Sequence, residues 1–215
     1  RIDGHGAIAN DYLLKLAGFT TETEIQGGEL LQIDGKLSGV LLDNAADSLK
    51  AMIPEASDQL IKDALLFAQN ECLKVGLTVV TDAGLSDKYI QIIKEMIDKE
   101  ELKMRFDMML SNNQNTLDKW MDQGIYTSEQ LRIGSVKVYA DGALGSRGAC
   151  LLHDYHDDPG NKGLMIHTQA EFNAICKRAF DAGFQVNTHA IGDSAARVVL
   201  RTYASYLKEK NDRRW

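Results

Sequence analysis

Apolar positions between residues 56 and 208 fall into two alternating patterns. From Ala56 to Val75 they recur at three- and four-residue steps, at Leu60, Ala64, Phe67, Ala68, Cys72 and Leu73, which predicts an amphipathic helix ended by Gly76. Leu77 to Thr81 is then β-branched and almost wholly apolar, as in a strand buried on both faces of a parallel sheet, and it stops at Asp82. A second helix follows Ser86, with Tyr89, Ile92, Ile93, Met96 and Ile97 on one side, and Met104 to Leu110 reads as the next strand. Helical segments between about Thr116 and Gln130 lead to a strand at Val136–Ala140.

Beyond that strand the pattern lapses. Ala143 to Gly163 is Gly-rich, carries the turn signal Asp157-Asp-Pro-Gly-Asn161 and reads as a long loop. Helical spacing returns from Thr168 to Gly183, Phe184–His189 is a fourth strand, and Asp193 is placed to cap a last helix to about Lys208. Repeated strand–helix units point to right-handed βα crossovers, in an open doubly wound sheet or part of a closed barrel. No G-x-G-x-x-G or P-loop follows any strand, which argues against a nucleotide site.

A length of 215 residues with 44% apolar content suffices for a packed core. The net charge of −7 is spread along the chain without a Lys/Arg block, so neither nucleic acid nor a membrane surface is an expected partner. Apolar runs are too short to span a bilayer. Cys72, Cys150 and Cys176 are odd in number and lack metal-binding spacing, which fits a reducing cytoplasm. The chain opens on Arg1 and closes on Trp215 directly after a helical stretch, as an internal piece of a longer protein would.

Chemically capable residues gather where strands end. Lys137, flanked by Val136, Val138 and Tyr139, must snorkel, pair with Asp141 or Asp82, or be modified, because an unpaired ammonium in a buried strand is costly. One modification, a carbamate on the amine, turns the cation into an oxygen ligand for a divalent metal. His189 closes its strand and is either a structural imidazole or a ligand. Asp193 reads as a helix cap, and His153, His156 and His167 as solvated loop residues.

Three runs carry a family resemblance: VKVYADGALGSRGAC from Val136 to Cys150, DDPGNKG from Asp157 to Gly163, and AGFQVNTHAIGD from Ala182 to Asp193. With RIDGHGAIAN at Arg1–Asn10 and GVLLDN at Gly39–Asn44, the chain resembles the amidohydrolase superfamily, in the branch related to N-substituted formamide deformylase. The resemblance implies an α/β fold, a partial (β/α)₈ TIM-like barrel, with residues 1–55 as an insertion or lead-in and 56–215 as four βα units. It implies hydrolysis of a small amide- or formamide-like carbon–nitrogen bond by water on a divalent metal, zinc, as one or two ions in the complete enzyme. Lys137 then matches a fourth-strand lysine that is carboxylated to bind metal, and His189 a fifth-strand histidine ligand. His5, Asp141 and Arg147 lie in matching motifs on the substrate side, and no residue is assigned as catalyst.

The first-strand His-x-His, the sixth-strand histidine and the eighth-strand aspartate of that pattern are absent from these residues. Two other readings stay open. One is a non-catalytic partial barrel that self-associates through exposed sheet edges. The other is a metal-free barrel enzyme with Lys137 as a Schiff-base nucleophile.

Overall fold

The computed structural model describes residues 4–208 and 212–215, so the first three residues of the opening motif, Arg1 to Asp3, lie outside the described residues. In chain order the lead-in supplies β1 (Gly6–Ile8), α1 (Asp11–Leu16), β2 (Gly28–Ile33), β3 (Lys36–Asp43) and α2 (Asn44–Lys50). Then come α3 (Asp58–Lys74), β4 (Val79–Leu85), α4 (Asp87–Asp98), β5 (Arg105–Ser111), α5 (Gln114–Met121), β6 (Tyr126–Thr127) and β7 (Leu131–Tyr139). The last elements are a 3₁₀ turn at Leu144–Ser146, α6 (Gln169–Ala182), β8 (Gln185–His189) and α7 (Asp193–Tyr206). The chain divides into two compact units, one of residues 1–54, 139–173 and 188–205, the other of 55–138, 174–187 and 206–215.

In the first unit β1, β3 and β2 form an antiparallel sheet in that order, with Gly6 opposite Leu42 and Glu29 opposite the same residue on the other side. Its core is Ala9, Leu14, Leu41, Ala45, Ala46 and Leu49, where the small side chains of Ala45 and Ala46 let α2 lie close to the strands. Asn10 caps α1 by accepting the Leu13 N–H at 2.9 Å.

The second unit holds the parallel strands, with β4 beside β5 and β5 beside β7 in register, Ser111 opposite Lys137. Strand β8 pairs with β7. The parallel β–α–β order expected from the alternating pattern is therefore present, in a mixed α/β fold. Ile90, Ile92, Ile93 and Met96 bury one face of α4, and Met108, Leu110, Ile133, Val136 and Val138 fill the strands beneath. Helix α3 is pinned at Gln69, whose Oε1 accepts the Lys103 and Met104 N–H groups while its Nε2 donates to the Glu101 carbonyl.

Three local expectations are corrected. The predicted helix to Gln130 ends at Met121, because Gly124 turns the chain with φ of +78° into β6, which pairs antiparallel with β7 through Tyr126 and Ile133. Strand β7 begins at Leu131, five residues before the predicted start, since Arg132, Gly134 and Ser135 interrupt its apolar run. The predicted apolar stripe of α3 is largely exposed, with Leu60 and Phe67 at 59% and 69%. Leu60, Ala64, Ala68 and Cys72 open onto a groove of about 510 Å³ beside β4 and β5.

Candidate functional site

Within the first unit, three strand ends bring a ring cluster together. His5 precedes β1, Tyr139 closes β7 and His189 closes β8. The His5 and His189 rings lie 4.9 Å apart at a tilt of 32°, and Tyr139 stands 5.4 Å from His189 and 6.1 Å from His5. His189 is fixed at its backbone, where its carbonyl accepts the Ala140 N–H at 2.8 Å. Beside it, Thr188 and Tyr203 share a hydroxyl hydrogen bond of 2.5 Å.

Asp43 supports the cluster from β3. Its Oδ1 lies 2.6 Å from His5 Nδ1, with the His5 side chain 11% exposed and that of Asp43 fully buried. Its other oxygen, Oδ2, is buried without a hydrogen-bond partner among the described residues. Burial pushes the Asp43 carboxyl above its ordinary range, the His5 hydrogen bond and charge pull it down, and nearby Asp47 and Asp141 push it up again, for a net rise. A Cβ at Gly142 or Gly148 would collide with this carboxylate, so both positions need glycine. Sequence reading passed over Asp43, although an aspartate closing the run Val40-Leu-Leu carries the same signal that drew attention to Asp82.

Asp141, next to Gly142, is fully buried and differently employed. Its carboxylate accepts three backbone N–H groups, from Cys150 at 2.8 Å, Ile191 at 2.9 Å and Gly192 at 2.7 Å. It thereby ties the loop after β7 to the turn before α7. Asp193 adds to the knot, its Oδ1 accepting from Leu152 N at 2.9 Å as well as from Ser194 N. Arg147 sits at φ of +59° after the 3₁₀ turn and pairs with Asp157 at 2.8 Å on the exposed surface. The loop is closed on itself, with Tyr155 donating to the Ala149 carbonyl and Leu151 N–H to that of Lys162. His153 and His156 are exposed; His167 is half-buried, and burial lowers its pKa.

Lys137 and Asp82 belong to the second unit. Lys137 is half-buried near the end of β7, its stem against Gly84 of β4, where a Cβ would stand 3.6 Å from the lysine Cβ and Cγ. Burial lowers the pKa of its amine. Asp82 is exposed, but partial desolvation raises its carboxyl, and among the described residues it is the one acid lining the apolar groove. Among the described residues no group of three or more His, Cys, Asp and Glu side chains is placed to hold a metal ion.

The amidohydrolase family model matches residues 1–214, nearly the whole chain. The chain belongs to the amidohydrolase family. Among its relatives, Protein LONG AFTER FAR-RED 3 of Arabidopsis thaliana is 32% identical over 99% of this chain and 39% of its own length. N-substituted formamide deformylase of Arthrobacter pascens is 26% identical over 96% of the chain and 40% of its length. Among solved structures, an uncharacterized metal-dependent hydrolase of Pyrococcus horikoshii superposes with a TM-score of 0.71 at 25% identity, over 94% of this chain and 40% of that one. This amidohydrolase chain thus spans about two fifths of the length of these relatives. Among the described residues no helix is long and apolar enough to cross a membrane.

Proposed function

We propose that this amidohydrolase chain forms part of a (β/α)₈ barrel enzyme that hydrolyses carbon–nitrogen bonds of small, non-peptide amides or formamides. Residues 1–55 are its lead-in and 56–215 four of its βα units. Membership of the family supports hydrolysis, and the relative named for formamide deformylation supports the bond class. The divalent metal comes from the same comparisons, through a structural neighbour titled a metal-dependent hydrolase. Zinc, as one or two ions, suits imidazole and carboxylate-like oxygen donors. Bound there, the ion would acidify a water and polarise the substrate carbonyl.

His189 is the imidazole ligand in this reading. Lys137 contributes through its amine, whose nitrogen attacks carbon dioxide, forming an N–C bond and losing a proton, to give a carbamate oxygen ligand. A depressed amine pKa favours that step, because only the free base is nucleophilic. The two are a partial set, since a catalytic zinc site takes about three protein ligands plus water. The observation that carries the proposal is the strand-end cluster, in which His189 stands with an imidazole that has its own buried carboxylate.

The test is release of formate from N-methylformamide by a protein of the relatives' full length that carries this chain. Turnover abolished by chelator and restored by zinc is expected; chelator-resistant turnover would overturn metal dependence. The lowered amine of Lys137 also suits a Schiff-base nucleophile. Borohydride trapping of substrate on Lys137 would favour that second reading. Free cysteines at 72, 150 and 176 support a reducing cytoplasm. The apolar exposure of Leu60, Phe67 and Val79 supports self-association near the edge of β4.

A further inference from the structure

Two consecutive residues after β7 hold the segment that carries His189. The Ala140 N–H donates to the His189 carbonyl at 2.8 Å. The next residue, Asp141, reaches just past the histidine, its Oδ1 accepting the Ile191 N–H at 2.9 Å and its Oδ2 the Gly192 N–H at 2.7 Å. Oδ2 also takes the Cys150 N–H at 2.8 Å. The Cys150 carbonyl in turn accepts the N–H groups of Ser194 at 3.1 Å and Ala195 at 3.3 Å, in the first turn of α7. A Cβ at Gly192 would stand 1.9 Å from that carbonyl oxygen, so glycine alone lets the two backbones close up. All of these residues lie in the first unit.

The backbone behind His189 is thus fixed on both sides, and the direction of a side chain follows from its backbone. The chemistry of the knot requires an acid: two carboxylate oxygens accept three N–H groups, whereas the amide of asparagine has one acceptor oxygen and would turn its own N–H toward a donor. We propose that Asp141 is a positioning residue for His189, fixing the turn beyond the histidine and so aiming the imidazole that binds the divalent metal. The proposal rests on the assignment of His189 to the metal made above. A ligand held in its bound direction beforehand loses less freedom when the ion arrives, which is how a residue that never touches the metal raises affinity for it.

The test compares Asp141→Asn with Met96→Ala, a substitution in the buried face of α4 in the other unit, under conditions where both are folded. The His189 ring signals are assigned by NMR through their loss in His189→Ala. Asp141→Asn is expected to shift or split those signals in the metal-free chain and to lower zinc affinity by roughly 10–100-fold, as loss of a supporting residue does. Met96→Ala should leave both as they are. Because coupling is reciprocal, zinc should also slow hydrogen exchange of the Ile191 and Gly192 amides in the unsubstituted chain, a readout that stands even if Asp141→Asn fails to fold. Unchanged ring signals and affinity in folded Asp141→Asn, equal losses in Met96→Ala, or zinc that leaves those two amides unaffected would each overturn the proposal. Equal zinc affinity in the unsubstituted chain and His189→Ala brings down the metal assignment itself. A weakened His189→Ala beside an undiminished Asp141→Asn brings down the positioning role alone.

Discussion

Asp43 and Asp141 belong to the same unit, are 3% and 0% exposed, and do opposite work. Asp141 spends both oxygens on backbone N–H groups and so organises chain, closing the loop after β7 onto the turn before α7. Asp43 gives one oxygen to the imidazole of His5 and sits at a φ of +48°. A buried carboxylate satisfied by backbone donors holds the chain; one bonded to an imidazole fixes a side chain. Replacing each in turn should separate the two roles.

The largest effect is expected at Asp141. Hydrogen bonds to a charged group contribute about 1.5–3 kcal/mol each, and Asp141→Ala strands buried N–H donors, so a loss of about 3 kcal/mol or more is expected in urea unfolding. A loss under about 1 kcal/mol would mean that solvent replaces the carboxylate and the knot holds the loop only weakly. Next comes Gly142→Ala, which places a methyl group against the Asp43 carboxylate. Overpacking of this kind costs about 1–3 kcal/mol, and here it falls directly on the carboxylate that bonds His5.

Asp43→Asn should leave stability at neutral pH unchanged or raised. The sign follows from the upward shift of the folded pKa. Such a group contributes stability that is full below its unfolded value near 3.8 and is lost as pH rises through the raised folded value. The asparagine variant lacks that loss, so thermal melts should show it gaining on the parent protein from about pH 4 upward. A variant that instead falls behind across that window would show the ionised carboxylate to be a net stabiliser. Smallest of all is Arg147→Ala, since its pair with Asp157 is solvent-screened, and no resolvable change in melting temperature is expected. A clear destabilisation would place Arg147 with Asp141 among the residues that hold the loop.

The same contrast explains what could be read from the chain. Helices α4 and α6 and strands β5 and β8 were legible because one rule, apolar spacing, decides them: Phe172, Cys176 and Ala179 repeat at helical steps and are all buried. The sheet of β1, β3 and β2 was not, because its short strands pair antiparallel within a lead-in where apolar and polar residues follow neither period. Strand β7 was half legible, its first residues masked by Arg132 and Gly134. Lys137 and His189 were visible as polar residues in apolar runs. The partnership of His5 with Asp43 was not, since 38 residues separate them and only the pairing of β1 with β3 brings them together. Asp141 was visible as a strand-end acid, yet its employment by three backbone donors depends on turns that no local pattern encodes.

The assignment of His189 to the metal is tested by a zinc titration of this chain beside its His189→Ala variant, read by calorimetry and by metal content after dialysis. Under the proposed assignment, removing the His189 imidazole should cut the zinc affinity at least as much as the roughly 10–100-fold lost with a supporting residue. Equal zinc affinity in the two proteins would contradict that assignment and leave His189 a structural member of the ring cluster.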